Sequence, residues 1–323
     1  MPQPLPTRRR FLTRTLAAGT ATLFAPTLIA ACGEAEKLLG GSDLGDIHVP
    51  DVALPDLTKL LETLTLDERY LIADLRSGRF YRLDPEAHTV AQLNADLSER
   101  WTFGGLGAES EQLNFPTSVL PLPDGSVAIL DAGNARVAFV SADGAVLRHL
   151  GGSGGDEPFK SLRGAVIDDD GQIWVSDPHD HAVKGFTADG SPVRTIGELG
   201  EEAHHLNAPR GLALDADGRL HVVDSGHARV QVYERDGTFV RSYGGYGLDD
   251  GRHLLPRGIA IAPNGLVYVC DPTAGAVQVY DKSGTALARL DDLSVAGKSA
   301  VPLDVSLSAN GLVQVRLHTW SAA

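Results

Sequence analysis

The chain has 323 residues, of which 43% are hydrophobic and 22% charged, and this composition excludes a wholly disordered protein. Its formal net charge of −14 argues against nucleic acid as a partner, because an acidic surface repels the phosphate backbone. Two cysteines, Cys32 and Cys270, are too few for a disulfide framework. The 36 glycines indicate a fold with many turns.

Residues 1–31 have the pattern of an export signal. They contain no acidic residue, and four arginines, among them Arg8 and Arg9, precede an apolar run from Leu16 to Ala31. This run is short for a transmembrane helix, and the order of basic, apolar and small residues is that of a signal peptide. Thr7–Leu12 reads Thr-Arg-Arg-Arg-Phe-Leu and resembles the twin-arginine export motif.

The end of this signal resembles a bacterial lipobox, Ile29-Ala30-Ala31-Cys32-Gly33. The resemblance implies cleavage before Cys32 and a lipid on its thiol, whereas an ordinary cleavage site with an incidental Cys32 is the alternative. Cleavage removes four arginines and no acid, so the formal charge falls to −18. We therefore expect a protein of the bacterial periplasm or cell surface, held to the membrane only by its N-terminal lipid.

The remaining chain divides into a tether and one repeated domain. Residues 32–66 contain Gly-Gly-Ser, scattered acids and one short amphipathic piece, which is typical of a tether. Residues 67–323 contain a turn dipeptide that recurs every 46 or 47 residues: Asp124-Gly125, Asp170-Gly171, Asp217-Gly218, Asn264-Gly265 and Asn310-Gly311. An aspartate follows each of the first four turns by seven residues: Asp131, Asp177, Asp224 and Asp271. A period of this length predicts a repeat architecture.

Each repeat predicts a sheet of four antiparallel strands. In residues 209–245, four short segments rich in β-branched residues are separated by turn signals, and Asp-Gly supplies the positive φ that hairpins need. Such repeats are typical of an all-β propeller. The span corresponds to about five and a half repeats, so we expect six blades, with five as the alternative. We expect the two chain ends to share a blade, because closing the ring removes exposed sheet edges.

The first repeat is less regular in sequence. Tyr70–Asp74 reads as its second strand, 79–83 as its third and 101–103 as its fourth. This assignment requires an insertion near residues 86–97.

The repeat resembles the NHL repeat. Pro209-Arg210-Gly211-Leu212-Ala213-Leu214-Asp215, the turn Asp217-Gly218 and the segment from His221 to Tyr233 carry the resemblance. Ala182 and Ala276 stand where that family usually has arginine. The resemblance covers roughly residues 70–317 and implies a propeller that is usually six-bladed.

Propeller topology places one set of arginines at the mouth of the central channel. The first strand of each sheet lines the channel, and Arg163, Arg210 and Arg257 each precede a glycine that opens such a strand. Three guanidinium groups there would bind a carboxylate, phosphate or sulfate. The alternative is structural: these arginines would pair with Asp177, Asp224 and Asp271 of adjacent blades.

The repeated aspartates and the histidines have separate interpretations. Asp131, Asp177, Asp224 and Asp271 are expected to cap loop amides, with Arg136 and Arg229 bonded to them. Histidines gather in the loops that join strands two and three and in the loops that join sheets, a rim that we call the top rim. Two clusters there are candidate metal sites, one with His179 and His181, the other with His204 and His205 beside Glu201 and Glu202. Solvated loop histidines are the alternative.

These features favour a binding or scaffolding module for a protein partner or a small anionic ligand. We expect a monomer. No nucleophile elbow, Walker loop or dinucleotide fingerprint occurs, and no histidine occupies a recurring first-strand position. The sequence requires no cofactor, although a divalent metal stays open. The alternative is a metal-dependent hydrolase or lyase with its site at the top of the channel, so the sequence does not decide whether the protein is an enzyme.

Overall fold

The computed structural model describes residues 70–74, 79–94, 98–152, 158–291, 293–295, 298–307 and 313–319. The expected signal peptide, Arg8, Arg9, Cys32 and the tether lie outside the described residues. Within these ranges, no helix combines the length and the apolar character that crossing a bilayer would require.

The described strands form six sheets, and in each sheet consecutive strands pair antiparallel. The first sheet contains β1 (Tyr70–Asp74), β2 (Arg79–Asp84), β3 (Thr89–Leu93) and β4 (Glu99–Gly104). The second contains β5 (Pro116–Pro121), β6 (Val127–Asp131), β7 (Arg136–Val140) and β8 (Val146–Gly151). The third contains β9 (Ala165–Ile167), β10 (Ile173–Asp177), β11 (Ala182–Phe186) and β12 (Pro192–Ile196).

The later sheets follow the same order. The fourth contains β13 (Pro209–Leu214), β14 (Leu220–Asp224), β15 (Arg229–Tyr233) and β16 (Phe239–Gly244). The fifth contains β17 (Gly258–Ile261), β18 (Val267–Asp271), β19 (Ala276–Tyr280) and β20 (Ala286–Leu290). The sixth contains β21 (Ser294–Val295), β22 (Lys298–Leu307) and β23 (Val313–Thr319). Single turns of 3-10 helix, Ala132–Asn134 and Ser225–His227, join strands two and three in the second and fourth sheets.

The first four recurring turn dipeptides join the first and second strands of a sheet, as their sequence predicts, and Asn310-Gly311 lies outside the described residues. Their glycines adopt positive φ, for example 86° at Gly125 and 76° at Gly218. This conformation suits glycine because it has no Cβ. The turns therefore fix the register of each hairpin.

Apolar side chains from facing sheets form five buried clusters, one between each consecutive pair of sheets. The second strands β6, β10, β14 and β18 are buried at every position. Such strands have neighbours on both faces, because each sheet is packed between two others. The first strands of successive sheets also contact one another, β9 with β13 and β13 with β17, and β17 contacts β22 of the last sheet. This is the arrangement of a propeller, whose first strands surround the central channel.

The strand assignment expected for the first sheet is wrong. Thr89–Leu93, inside the expected insertion, is β3, so β1 to β4 run consecutively through one sheet. Asp84 ends β2 and lies 47 residues before Asp131, which ends β6, so the period is kept without an insertion. Asp74 and Asp84 each follow an apolar strand, and sequence pattern alone does not distinguish them.

The expected blade shared by the two chain ends is not seen among the described strands. The first sheet takes all four of its strands from residues 70–104, and the last takes its three from residues 294–319.

Candidate functional site

The three arginines of the channel mouth occupy equivalent places in consecutive sheets. Arg163 precedes β9, Arg210 is the second residue of β13, and Arg257 precedes β17. We call this set the arginine arc. Thr117, the second residue of β5, occupies the same position in the preceding sheet, and Leu303 of β22 occupies it in the last sheet.

Backbone contacts between neighbouring first strands fix the spacing of the arc. The Gly211 amide donates to the carbonyl oxygen of Arg257 at 2.9 Å, and the hydroxyl of Ser176 donates to the carbonyl oxygen of Arg210 at 2.6 Å. A Cβ at position 211 would lie 2.6 Å from the Arg257 carbonyl oxygen. Glycine after each arginine therefore allows the strands to approach closely, and this approach brings consecutive arginines together.

The guanidinium groups of the arc lie close enough for Arg163 and Arg257 to disfavour the charge of Arg210. Arg163 and Arg257 are exposed and Arg210 is half-buried. Burial, with the positive charges of Arg257 and Arg163, lowers the pKa of the Arg210 guanidinium. Among the described residues, none of the three arginines forms a salt bridge. The arc thus concentrates positive charge at the channel mouth of a strongly acidic chain.

Two polar atoms at the same level of the channel also have no described partner. Nε of Arg210 and Oγ1 of Thr117 are shielded from solvent and form no hydrogen bond with the described residues. A buried donor without a partner costs about 1–3 kcal/mol. These atoms are therefore positioned to gain from a bound acceptor.

The alternative interpretation of the arc, pairing with the repeated aspartates, does not match the geometry. All four aspartates are buried and are satisfied elsewhere. The backbone amides of Leu254 and Leu255 donate to Asp271 at 2.6 and 3.0 Å, and Thr273 and Ala274 donate to its other oxygen.

The aspartates instead connect the loops of the top rim to their sheets. Arg136 Nε donates to Asp131 at 2.8 Å, and Arg229 Nε donates to Asp224 at the same distance. The amide of Asn114 also donates to Asp131, and that of Asn207 to Asp224, so each aspartate bonds the preceding loop between sheets.

The third sheet has no arginine at this position, and a lysine replaces it. Ala182 occupies the position of Arg136 and Arg229, and Lys184, two residues further along β11, donates to Asp177 at 3.0 Å. Residues two apart on a strand point to the same face, so the long side chain of Lys184 can form the ion pair with Asp177 that an arginine at position 182 would otherwise form. The sequence pattern did not predict this substitution.

His179 and His181 do not form a metal cluster with other described residues. His179 is mostly exposed, with Nδ1 3.6 Å from Asp180. The backbone amide of Ala208 donates to Nδ1 of His181 at 3.1 Å. His88 accepts in the same way from Phe115, at 2.8 Å, two repeats earlier. His181 therefore has a structural contact that recurs in the fold.

His204 and His205 lie close together, with Glu198 rather than Glu201 or Glu202 as the neighbouring acid. Potential ligand atoms of Glu198, His204 and His205 all lie within 4.8 Å of one another, and this is the one such group among the described residues. Glu198 and His204 are exposed. The sequence did not reveal Glu198 because it is separated from the histidines by a turn of the loop.

His205 also has a structural role that weakens it as a metal ligand. The amide of Glu202 donates to its Nδ1 at 3.0 Å, so the neutral ring carries its hydrogen on Nε2, the atom facing Glu198. A metal-bound histidine usually donates from its second nitrogen instead of accepting there. Gln112 holds the equivalent position two repeats earlier and accepts from the amide of Glu109.

Residues 65–292 match the SMP-30/gluconolactonase/LRE-like region family. Since this match covers well over half of the chain, the protein belongs to that family of β-propellers. No curated protein sequence matches the chain.

Solved structures with similar folds include two kinds of enzyme. A streptogramin B lyase has a TM-score of 0.58 and 12% identity, covering 78% of this chain and 93% of its own. A virginiamycin B lyase from Staphylococcus aureus has a TM-score of 0.57 and 13% identity, covering 79% and 85%. A gluconolactonase from Xanthomonas campestris has a TM-score of 0.55 and 18% identity, covering 75% and 83%. At these identities the likeness shows the fold alone.

Gluconolactonases of this family are often metal-dependent. The residues of the arginine arc do not fit a divalent cation, because guanidinium groups carry positive charge and offer no lone pair. No group of three carboxylate, histidine or cysteine ligands was found at this level among the described residues. The donor set of this channel mouth fits an anion.

Proposed function

We propose that this family member is a binding or scaffolding module whose arginine arc binds an anionic group at the channel mouth. The observation that carries the proposal is the absence of any salt bridge from Arg163, Arg210 or Arg257 to the described residues. A carboxylate, phosphate or sulfate would relieve the mutual repulsion of the arc. Arginine binds such groups in bidentate geometry, and these charge-assisted bonds are about twice as strong as neutral ones.

Titration calorimetry with inorganic phosphate and sulfate at low ionic strength tests this proposal. The double variant Arg210→Ala/Arg257→Ala should lose binding. Arg100→Ala is the matched control, since Arg100 is an exposed arginine that pairs with Asp143 far from the arc. Equal affinity of the wild type and the double variant would overturn the proposal.

We also propose that the protein is exported by the twin-arginine route and is anchored by lipid at Cys32, as a monomeric, NHL-like, six-bladed propeller. The motifs at residues 7–12 and 29–33 support export and anchoring. Six described sheets at the repeat period support the blade number. Mass spectrometry of the membrane fraction should find acylated Cys32, and Cys32→Ser should release the protein. Retention of Arg8→Lys/Arg9→Lys in the cytoplasm would support the route, and normal export of this variant would contradict it.

A metal-dependent hydrolase or lyase is the second candidate. Membership of a family that includes gluconolactonases and the group Glu198, His204 and His205 favour it. Elemental analysis of the untagged protein, followed by hydrolysis assays on small lactones with and without chelator, tests it. Stoichiometric metal with chelator-sensitive turnover would support this candidate, and metal-free, inactive protein would remove it.

A further inference from the structure

Large exposed apolar side chains are distributed unevenly over the described surface. Leu147, Val193 and Val240 hold equivalent positions on the outermost strands β8, β12 and β16. The other exposed large apolar residues all lie in loops that join sheets at the top rim: Leu106, Phe115, Leu199, Tyr246 and Leu248. The top rim therefore combines exposed apolar surface with the arginine arc.

Three of these residues are related by the repeat. Leu106, Leu199 and Tyr246 each come two residues after a glycine at the end of the sheet, Gly104, Gly197 and Gly244 respectively, and each is flanked by glycine on at least one side. They are 67%, 62% and 78% exposed. We call them the apolar tips. Each tip precedes the channel-mouth position of the next sheet by 11 residues, Thr117, Arg210 and Arg257 respectively.

The tips are exposed although the loops that carry them are ordered and have buried sites available. Leu106 forms a β-bridge with Leu113, as Leu199 does with Leu206 and Tyr246 with His253. The second member of each pair is completely buried. Each loop thus places one of two paired side chains in the core and leaves the other in solvent at a fixed position.

Polar side chains of the third strands form hydrogen bonds with the backbone of the same loops. Arg136 donates to the carbonyl oxygens of Ala108, Glu109 and Gln112, and Arg229 donates to the carbonyl oxygen of His205. Gln278 donates to the carbonyl oxygens of Asp249 and Arg252. A surface held in this way loses little conformational entropy when a partner covers it.

We propose that the top rim and the arginine arc together form a docking surface for an acidic protein segment. Its carboxylates would pair with the arginine arc, and its apolar side chains would cover the tips. Charge favours carboxylates at the centre of this surface, because Arg163, Arg210 and Arg257 form no salt bridge with the described residues. The loops that carry the tips hold exposed acids, among them Glu109, Glu202 and Asp249, so apolar rather than acidic side chains of the occupant would lie there. The tips favour an extended occupant, since they lie in three separate loops between sheets. Arginine and tyrosine are enriched in protein interfaces and among the residues that contribute most to their affinity. This inference rests on the proposed anion site.

A library of random 12-residue peptides, selected on the purified protein, tests the proposal with a defined probe. The binding of the best selected peptide is then measured by fluorescence anisotropy for four proteins: wild type, Arg210→Ala/Arg257→Ala, Leu199→Ser/Tyr246→Ser and Leu147→Ser/Val240→Ser. The last is the matched control, because it removes two exposed apolar residues from the outer strands. Circular dichroism confirms that each variant is folded.

The proposal predicts selected peptides that combine Asp or Glu with Leu, Phe or Tyr. The tip variant should weaken binding about tenfold or more, whereas the outer-strand control should stay within about twofold. Peptides without acids, no selected peptide at all, or equal affinity for the tip variant would overturn it. Arginine-dependent binding of inorganic phosphate in that case would show that the anion site stands while the docking surface fails. Loss of phosphate binding as well would remove both.

Discussion

Ser176 and Arg210 belong to neighbouring sheets, and the hydroxyl of Ser176 donates to the backbone carbonyl of Arg210 at 2.6 Å. The backbone of Arg210 is therefore fixed, whereas Nε of its side chain is shielded and has no described partner. A fixed backbone with an unsatisfied side-chain donor is expected of a binding residue, since the fold keeps a buried donor without a partner at a cost in stability. The following predictions test this account and the structure around it.

Replacing Arg210 by methionine should stabilise the protein in the absence of ligand. The variant removes repulsion from Arg163 and Arg257 and the burial of a charged group, while methionine keeps most of the side-chain length. We expect a gain of about 0.5–1 kcal/mol in the free energy of unfolding, measured by urea denaturation at low salt. Added phosphate should stabilise the wild type and not this variant. A loss of more than about 1 kcal/mol would indicate a structural role for Arg210.

Replacing Arg136 by methionine should destabilise the protein strongly. The variant leaves Asp131, which is completely buried, without its charged partner. Breaking a buried ion pair on one side costs about 3–5 kcal/mol. Denaturant unfolding measures the loss, and Arg100→Met serves as the exposed control. A loss below about 1 kcal/mol would contradict the assignment.

We expect Lys184 to stabilise the buried carboxylate of Asp177 as Arg136 stabilises that of Asp131. Lys184→Met should therefore be destabilising, for the same reason. The double variant Ala182→Arg/Lys184→Met returns the cation to the position used in the second and fourth sheets, and it should recover part of the lost stability. If the double variant is less stable than Lys184→Met alone, the two positions are not equivalent.

His253 should make the protein less stable as the pH falls. Its side chain is completely buried, with Tyr280 Oη 2.7 Å from Nε2 and a carboxylate oxygen of Asp271 3.9 Å from Nδ1. Burial lowers the pKa of His253 to about 4, with a further lowering by Arg289 and an opposing effect of Asp271. The unfolded chain, with a histidine pKa of about 6.5, then binds a proton that the folded chain does not.

The resulting loss of stability occurs between pH 6.5 and pH 4. It should proceed at up to about 1.4 kcal/mol per pH unit and should be complete once the pH is below the folded pKa. His253→Gln lacks this titration, so the difference in unfolding free energy between wild type and variant isolates it from the carboxylates. A difference that does not change across this window would contradict the buried, neutral histidine.

His205 should tolerate glutamine but not alanine. Glutamine is found at the equivalent position 112, where it accepts a backbone amide as His205 does. We expect His205→Gln to unfold within about 0.5 kcal/mol of the wild type and His205→Ala to lose about 1 kcal/mol. Zinc titration of His205→Gln provides the second measurement. If the wild type binds stoichiometric zinc and His205→Gln does not, the result favours His205 as a metal ligand over a purely structural role.

The repeat made most of the fold predictable from sequence. The Asp-Gly and Asn-Gly turns fix hairpin registers locally, so strands such as β14 and β15 follow from spacing alone. The first sheet was misassigned because two aspartates, Asp74 and Asp84, each end an apolar segment. Only the pairing of β2 with β3 separates them.

The site was only partly predictable. Recurrence placed Arg163, Arg210 and Arg257 at equivalent positions, but whether they pair with the repeated aspartates depends on contacts between sheets that a sequence period does not encode. Lys184 and Glu198 were missed for the same reason. Each reaches its neighbours through the path of a strand or loop rather than through adjacent sequence positions.

Titration calorimetry of inorganic phosphate into the wild type and Arg210→Ala/Arg257→Ala tests the central claim most directly. The account predicts saturable binding to the wild type at low ionic strength, weakening as salt is added, and no detectable binding to the double variant. Equal binding to both proteins, or no binding to the wild type, would contradict it.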